Sequence, residues 1–161
     1  MRHEFYSDMI LPAYEHLFHV LKYMGIHQIP MDRRAVLSNC FTFKKNPFND
    51  FENNYWWPHR DHGYSALVYL NRNDNTGTNV YECLADSYED GVREHEEPWR
   101  PKERYKKIMN FEPAFNRCIF FDAGKYHHGM HVENWRFEDT PENDTRMNLG
   151  FFFHPAPKKN K

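Results

Sequence analysis

Residues 55–70 read YWWPHRDHGYSALVYL, and this stretch decides the fold. Its second half, residues 64–70 (YSALVYL), is an apolar run with the length and the β-branched and aromatic content of a strand. The following NRNDNTGT at residues 71–78 is a cluster of turn formers that ends it. Just before the strand stands His59-Arg60-Asp61. In extended backbone, residues i and i+2 project to the same side, so this tripeptide offers an imidazole and a carboxylate to one point in space. A rigid strand following directly can hold such a pair to the tolerance a metal demands.

Working outward, further strand-like runs occur at residues 35–43 (AVLSNCFTF), 79–84, 117–121 (RCIFF), 126–132 and 146–153 (RMNLGFFF). On the N-terminal side, Ile10, Tyr14, Leu17, Leu21 and Met24 are spaced for one face of a helix over residues 8–24. Ser7 is positioned to cap its start and Gly25 to end it, with Pro12 near the first turn, where a missing N–H costs least. His16 and His19 read as surface or boundary residues of that helix. Polar loops are expected at residues 44–54, at 85–116 and at 133–145. The second has an acidic half (DSYEDGVREHEE) and a basic half (WRPKERYKK), and loops of that length act as lids, binding loops or insertions. The tail at residues 155–161 (PAPKKNK) reads as disordered.

One helix followed by six or more short strands predicts a mainly β domain, a sandwich or jelly roll with an N-terminal supporting helix. A length of 161 residues suits a single domain. Within it, residues 1–34 are expected to be the helical support and 35–154 the β core.

Composition narrows the classes. At 40% apolar and 27% charged the chain is globular rather than disordered. A net charge of −2 creates no overall field that would draw nucleic acid or an anionic membrane. Cys40, Cys83 and Cys118 are sparse, odd in number and without a CxxC pair, which suits a reducing compartment. No signal-peptide core and no run of about 18 apolar residues is present, so a cytoplasmic protein is expected.

His59–Asp61 has two rivals, His95–Glu97 and His131–Glu133. The first sits within the charged stretch, without a strand to hold it. For the pair at 59 and 61, a third ligand must come from a distant strand, and residues 116–131 (NRCIFFDAGKYHHGMH) supply His127, His128 and His131. Neighbours in a strand face opposite ways, so only one of His127 and His128 can serve. Two histidines and a carboxylate form the facial triad of non-haem iron(II) oxygenases, which leaves open metal positions. Arg146 opens the last strand, and its planar fork suits a carboxylate in bidentate geometry.

Taken in order, the segments PHRDHGYSALVYLN, GTNVYE, NRCIFFDAGKYHHG and TRMNLGFFF resemble the iron(II)/2-oxoglutarate dioxygenase superfamily, especially its prolyl-hydroxylase-like branch. The likeness spans roughly residues 55–153. It implies a double-stranded β-helix, a jelly-roll relative of the cupin barrel, with iron(II) at its open mouth. By motif, His59, Asp61 and His127 match the metal ligands, with His128 as the alternative to His127. Arg146 matches the residue that binds the far carboxylate of 2-oxoglutarate, and Tyr69 a hydrogen-bond partner of that cosubstrate. The gap from His127 to Arg146 is 19 residues, longer than is usual there; the insertion at 133–145 accounts for it, and Arg136 is the alternative anchor. The implied reaction consumes dioxygen and 2-oxoglutarate, releases succinate and carbon dioxide, and hydroxylates a substrate. That substrate could be a protein side chain, an amino acid, a nucleobase or a metabolite. Trp56, Trp57 and Tyr55 could line its entrance or simply pack in the core. The competing readings are a cupin-like metalloprotein without 2-oxoglutarate turnover and a non-catalytic barrel serving as an interaction module. A zinc hydrolase is disfavoured by the absence of HExxH.

Overall fold

A computed structural model describes residues 2–5, 11–26, 28–41, 52–70, 77–84, 99–131 and 145–155. In chain order these form β1 (Arg2–Phe5), α1 (Leu11–Tyr23), β2 (Gln28–Phe41), β3 (Asn54–Trp56), β4 (Tyr64–Tyr69), β5 (Thr78–Cys83), β6 (Trp99–Pro101), β7 (Tyr105–Phe111), β8 (Cys118–Asp122), β9 (His127–Met130) and β10 (Thr145–Pro155). A 3-10 turn at Lys102–Arg104 joins β6 to β7.

The apolar run expected at 64–70 becomes β4, and the final apolar run becomes β10. Both lie inside a five-stranded sheet of order β1-β2-β10-β4-β8. A three-stranded sheet, β7-β5-β9, and a two-stranded ribbon, β3-β6, complete the described set. Every described pairing is antiparallel.

Strand alternation splits the large sheet into two faces. On one face, Ala66, Phe151 and Phe153 pack with Tyr14 and Leu21 of α1, joined by Leu17, Tyr64, Val68 and Phe120. Tyr14 and Leu21 are 3% and 2% exposed, and burying side chains of that size contributes about 1.5–3 kcal/mol each, which holds the helix down. The helix ends as its sequence predicts. Gly25 takes φ +77° and the Ile26 amide donates back to the Leu21 carbonyl at 2.9 Å, the Schellman closure that favours glycine.

The other face of the large sheet carries Leu67, Tyr69, Ile119, Phe121 and Ala123, with Phe111 of the three-stranded sheet packed against them. The Tyr69 hydroxyl donates to Thr78 across the same interface at 2.7 Å. The two sheets therefore face one another as a sandwich, and none of the described sheets closes into a barrel. The β3-β6 ribbon covers the far side of the three-stranded sheet, where the Tyr55 and Tyr81 rings lie 4.5 Å apart.

Several boundaries differ from expectation. Residues 28–34, read as part of a helical support, are the first half of β2, and β1 pairs with the later part of that strand. Within the stretch read as a polar loop over 85–116, residues 99–111 hold β6 and β7. β7 is polar because it is an edge, with Lys106 and Lys107 exposed, and charged edges resist unwanted pairing. Pro155, expected to begin a loose tail, is the last residue of β10. The Ser7 cap, the acidic segment at 85–98, Arg136 and residues 156–161 lie outside the described residues. Among the described residues, no helix is long and apolar enough to cross a membrane.

Candidate metal centre

The segment after β3 runs alongside β9 and the β8–β9 turn, tied by backbone hydrogen bonds at alternate residues. His59 and His128 exchange both of theirs, His59 N–H to His128 O at 3.0 Å and His128 N–H to His59 O at 2.8 Å. The Asp61 amide donates to Ala123 O at 3.0 Å, and the Gly124 amide donates to Gly63 O at 2.6 Å. Mutual exchange of this kind sets Cα atoms about 5.5 Å apart. The backbone alone thus brings the H-x-D tripeptide and β9 together.

His59, Asp61 and His128 each present a ligand atom, and all three lie within 4.8 Å of one another. The His128 Nε2 is 3.4 Å from Asp61 Oδ2, and the two imidazole centroids are 4.3 Å apart. The donor set is two imidazoles and one carboxylate from two distant segments, a group that could hold a metal ion.

The sequence placed His127 in this set, with His128 as the alternative. The structure brings His128 to the pair and turns His127 to the opposite face of β9. There His127 is 4% exposed and its ring meets Tyr105 edge-on at 5.4 Å. Alternation correctly allowed only one of the two. Which one depends on register, since β9 pairs with β5 as Val80↔His128 and Tyr81↔His127. Position 80 faces the sandwich interior along with Thr78.

The remaining atoms of the donors are held too. His59 Nδ1 lies 2.9 Å from the Trp57 carbonyl. A carbonyl only accepts, so this contact is a hydrogen bond in the tautomer with the proton on Nδ1, which leaves the Nε2 lone pair for a metal. The Ser65 hydroxyl, 1% exposed, donates to Asp61 Oδ2 at 3.1 Å. Phe121 packs its ring 4.8 Å from that of His128.

Electrostatics follow from this packing. Burial pushes His59 down to about 4, helped by the neighbouring His128 imidazole and opposed by Asp61 and the Trp57 carbonyl. Burial acts to raise Asp61, but the His128 hydrogen bond and the His128 and His59 charges, with the Ser65 hydroxyl, hold it at about 2. At neutral pH both groups are already in the states that bind a cation, a neutral ring and a carboxylate. His127 is also pushed down to about 4, first by burial and then by Arg60, His128 and Arg100.

Further along the same inner face lies Arg146, 7% exposed. Its Nη2 donates to Gly77 O at 3.4 Å and to Thr78 Oγ1 at 3.3 Å. With the Asn148 amide oxygen turned to the guanidinium, Nη2 also donates to it at 3.2 Å, and Nη1 donates to the same oxygen. The Tyr69 ring lies 5.9 Å beneath the guanidinium carbon. Burial raises the Tyr69 hydroxyl above its ordinary value, against the pull of its Thr78 hydrogen bond and of Arg146. Ser65 beside Asp61 and Tyr69 beside Arg146 share one face of β4 four residues apart, about 13 Å along the strand.

Sequence reading missed five contributors: Ser65, the Trp57 and Gly77 carbonyls, Thr78 and Asn148. Of these only Ser65 left a signal, as a lone hydroxyl in an apolar strand, since a buried hydroxyl needs a partner.

No family model matches the chain and no curated protein matches it. Among solved structures it is similar to the crystal structure of a bsmA homolog from Methylobium petroleophilum PM1, at TM-score 0.41 and 12% identity, over 94% of this chain and 55% of that one. The chain therefore spans about half the length of that neighbour.

Proposed function

We propose that this chain is an iron(II)- and 2-oxoglutarate-dependent oxygenase on a double-stranded β-helix. His59, Asp61 and His128 would hold the metal, and Arg146 would anchor the far carboxylate of the cosubstrate. The observation that carries this reading is the convergence of two imidazoles and one carboxylate within 4.8 Å. The residues fit the group. The donors are of the right types: His59 with its proton on Nδ1 toward the Trp57 carbonyl offers the Nε2 lone pair, and Asp61 offers a carboxylate steadied at Oδ2 by the Ser65 hydroxyl. When bound, iron with 2-oxoglutarate supplies activation of dioxygen, with loss of carbon dioxide from the oxoacid and hydroxylation of a substrate C–H bond.

The chain's own part is geometric and electrostatic. Asp61 contributes the negative charge that favours a divalent cation, and its low pKa preserves that charge. Phe121 shields one side of His128 from water. In this reading Arg146, on the inner face and oriented by its hydrogen bonds to Gly77 and Thr78, would receive the far carboxylate of the cosubstrate. Tyr69 stiffens that end through Thr78. In this reading the activity belongs to a reducing compartment, which the unbridged thiols of Cys83 and Cys118 support.

Anaerobic titration with iron(II) and 2-oxoglutarate tests the proposal. A visible charge-transfer band is expected in the native protein and in His127→Ala, and is expected to vanish in His59→Ala, Asp61→Ala and His128→Ala. Arg146→Ala should weaken 2-oxoglutarate roughly 10–100-fold, the loss of hydrogen bonds to a charged group, while metal binding persists. A native protein with no band refutes the proposal. A band that survives His128→Ala but not His127→Ala refutes the ligand assignment.

A further inference from the structure

Trp57 has φ +46°. For a bulky side chain that is an outlier, and the next residue, Pro58, independently drives its predecessor towards extended backbone. Two local preferences are overridden at one residue, so the surroundings must hold it there. Gly129 on β9 shows how. A Cβ at that glycine would fall 2.5 Å from the Trp56 carbonyl oxygen and 3.1 Å from that of Trp57. The bare α-carbon lets the 56–57 backbone lie directly on β9, one residue from His128. From that position the Trp57 carbonyl accepts the His59 Nδ1 proton at 2.9 Å.

We propose that the Trp57 carbonyl, held by the left-handed Trp57 backbone and admitted by the missing side chain of Gly129, is the positioning group that sets the His59 tautomer and turns Nε2 to the metal site. The inference rests on reading His59 as a ligand, but it concerns main-chain geometry that exists before any metal arrives. Neither residue touches the metal. The carbonyl acts through the ring, raising its donor strength and fixing its plane.

The test reads the tautomer directly. In metal-free protein, nitrogen-15 shifts of the imidazole, assigned by loss of the signal in His59→Gln, should report a proton on Nδ1. Trp57→Asn keeps a residue that tolerates the left-handed region and should retain the Nδ1–H tautomer, with cobalt(II) affinity within about threefold. Trp57→Val removes that tolerance, and Gly129→Ala pushes the segment off β9. Each should mix the tautomers and weaken cobalt(II) roughly 10–100-fold, the range seen when an outer partner of a metal-bound histidine is lost. A native protein with its proton on Nε2 overturns the proposal. So does a folded Gly129→Ala protein with native tautomer and native cobalt affinity, or a Trp57→Asn protein that loses the tautomer. If Gly129→Ala fails to fold, the native tautomer and the Asn/Val contrast still decide. Native protein that takes up neither iron nor cobalt but keeps the Nδ1–H form refutes the metal reading and supports the positioning of His59.

Discussion

Acidification of the metal-free protein should expose His59 and His127 as a stability liability, and His127 isolates one share of it. His59 and His127 both titrate at about 4 in the folded protein against 6.5 when unfolded. Each folded-state value is depressed, so the unfolded chain takes up protons first. Stability is full above about pH 6.5, falls as pH drops towards 4, and levels off below that. A lowering from 6.5 to about 4 corresponds to about 3 kcal/mol per histidine. The two together reach about 6 kcal/mol, a large part of the roughly 5–15 kcal/mol that holds a domain of this size folded. Asp61 acts in a different window, below its ordinary 3.8, and does not obscure this one. The assay is urea unfolding followed by tryptophan fluorescence, with chelator present, at steps from about pH 7 to about pH 4. His127→Gln keeps a polar side chain of similar reach but cannot titrate, so it should remove about half of the pH-dependent loss. It should leave metal binding unchanged, because His127 faces Tyr105 rather than the donor set. Native stability that stays flat across this window refutes the burial argument, and so does an unchanged slope in His127→Gln.

Other expectations concern the site and its supports. Asp61→Asn should abolish the part of the acid-induced loss of stability that the native carboxyl causes, about 2 kcal/mol, since the folded group sits at about 2 rather than 3.8. That contribution is present above about pH 4 and lost as pH falls through about 2, so denaturation curves of the variant should lack that fall. Gly77→Ala would drive a Cβ into the Phe111 carbonyl oxygen and disturb a carbonyl that accepts from Arg146; a loss of about 1–3 kcal/mol is expected in thermal unfolding. Phe151→Ala empties a fully buried position beside Tyr14 and should cost about 3–5 kcal/mol by denaturant titration, while the folded fraction binds cobalt(II) with native affinity.

How much could be read from the residues alone depended on what kind of information each element carries. β4, β5, β8 and β10 were visible because their side chains are apolar for reasons of burial, and α1 because its apolar spacing matches a helix face. β6 and β7 were hidden inside a polar stretch. Their strand character comes from pairing with β3 and β5, and an edge strand with exposed lysines has no local signature. His59 and Asp61 were legible through two-residue spacing within one extended segment. The third ligand was legible only as a choice between neighbours, because register between β5 and β9 is set by the whole sheet. Arg146 was found from its place at the head of β10, but its Thr78 and Asn148 partners involve pairings that no local pattern announces.

The run His127-His128-Gly129 has a consequence for assembly of the sandwich. By themselves, two consecutive imidazoles would tolerate a one-residue misthreading of β9, since the first would stand in for the second. Gly129 removes that freedom. Any such slip would bring an imidazole-bearing residue to the spot where only hydrogen fits against the Trp56 and Trp57 oxygens. The tripeptide therefore resists that slip, and a position with no side chain reinforces the register that brings His128 rather than His127 beside Asp61.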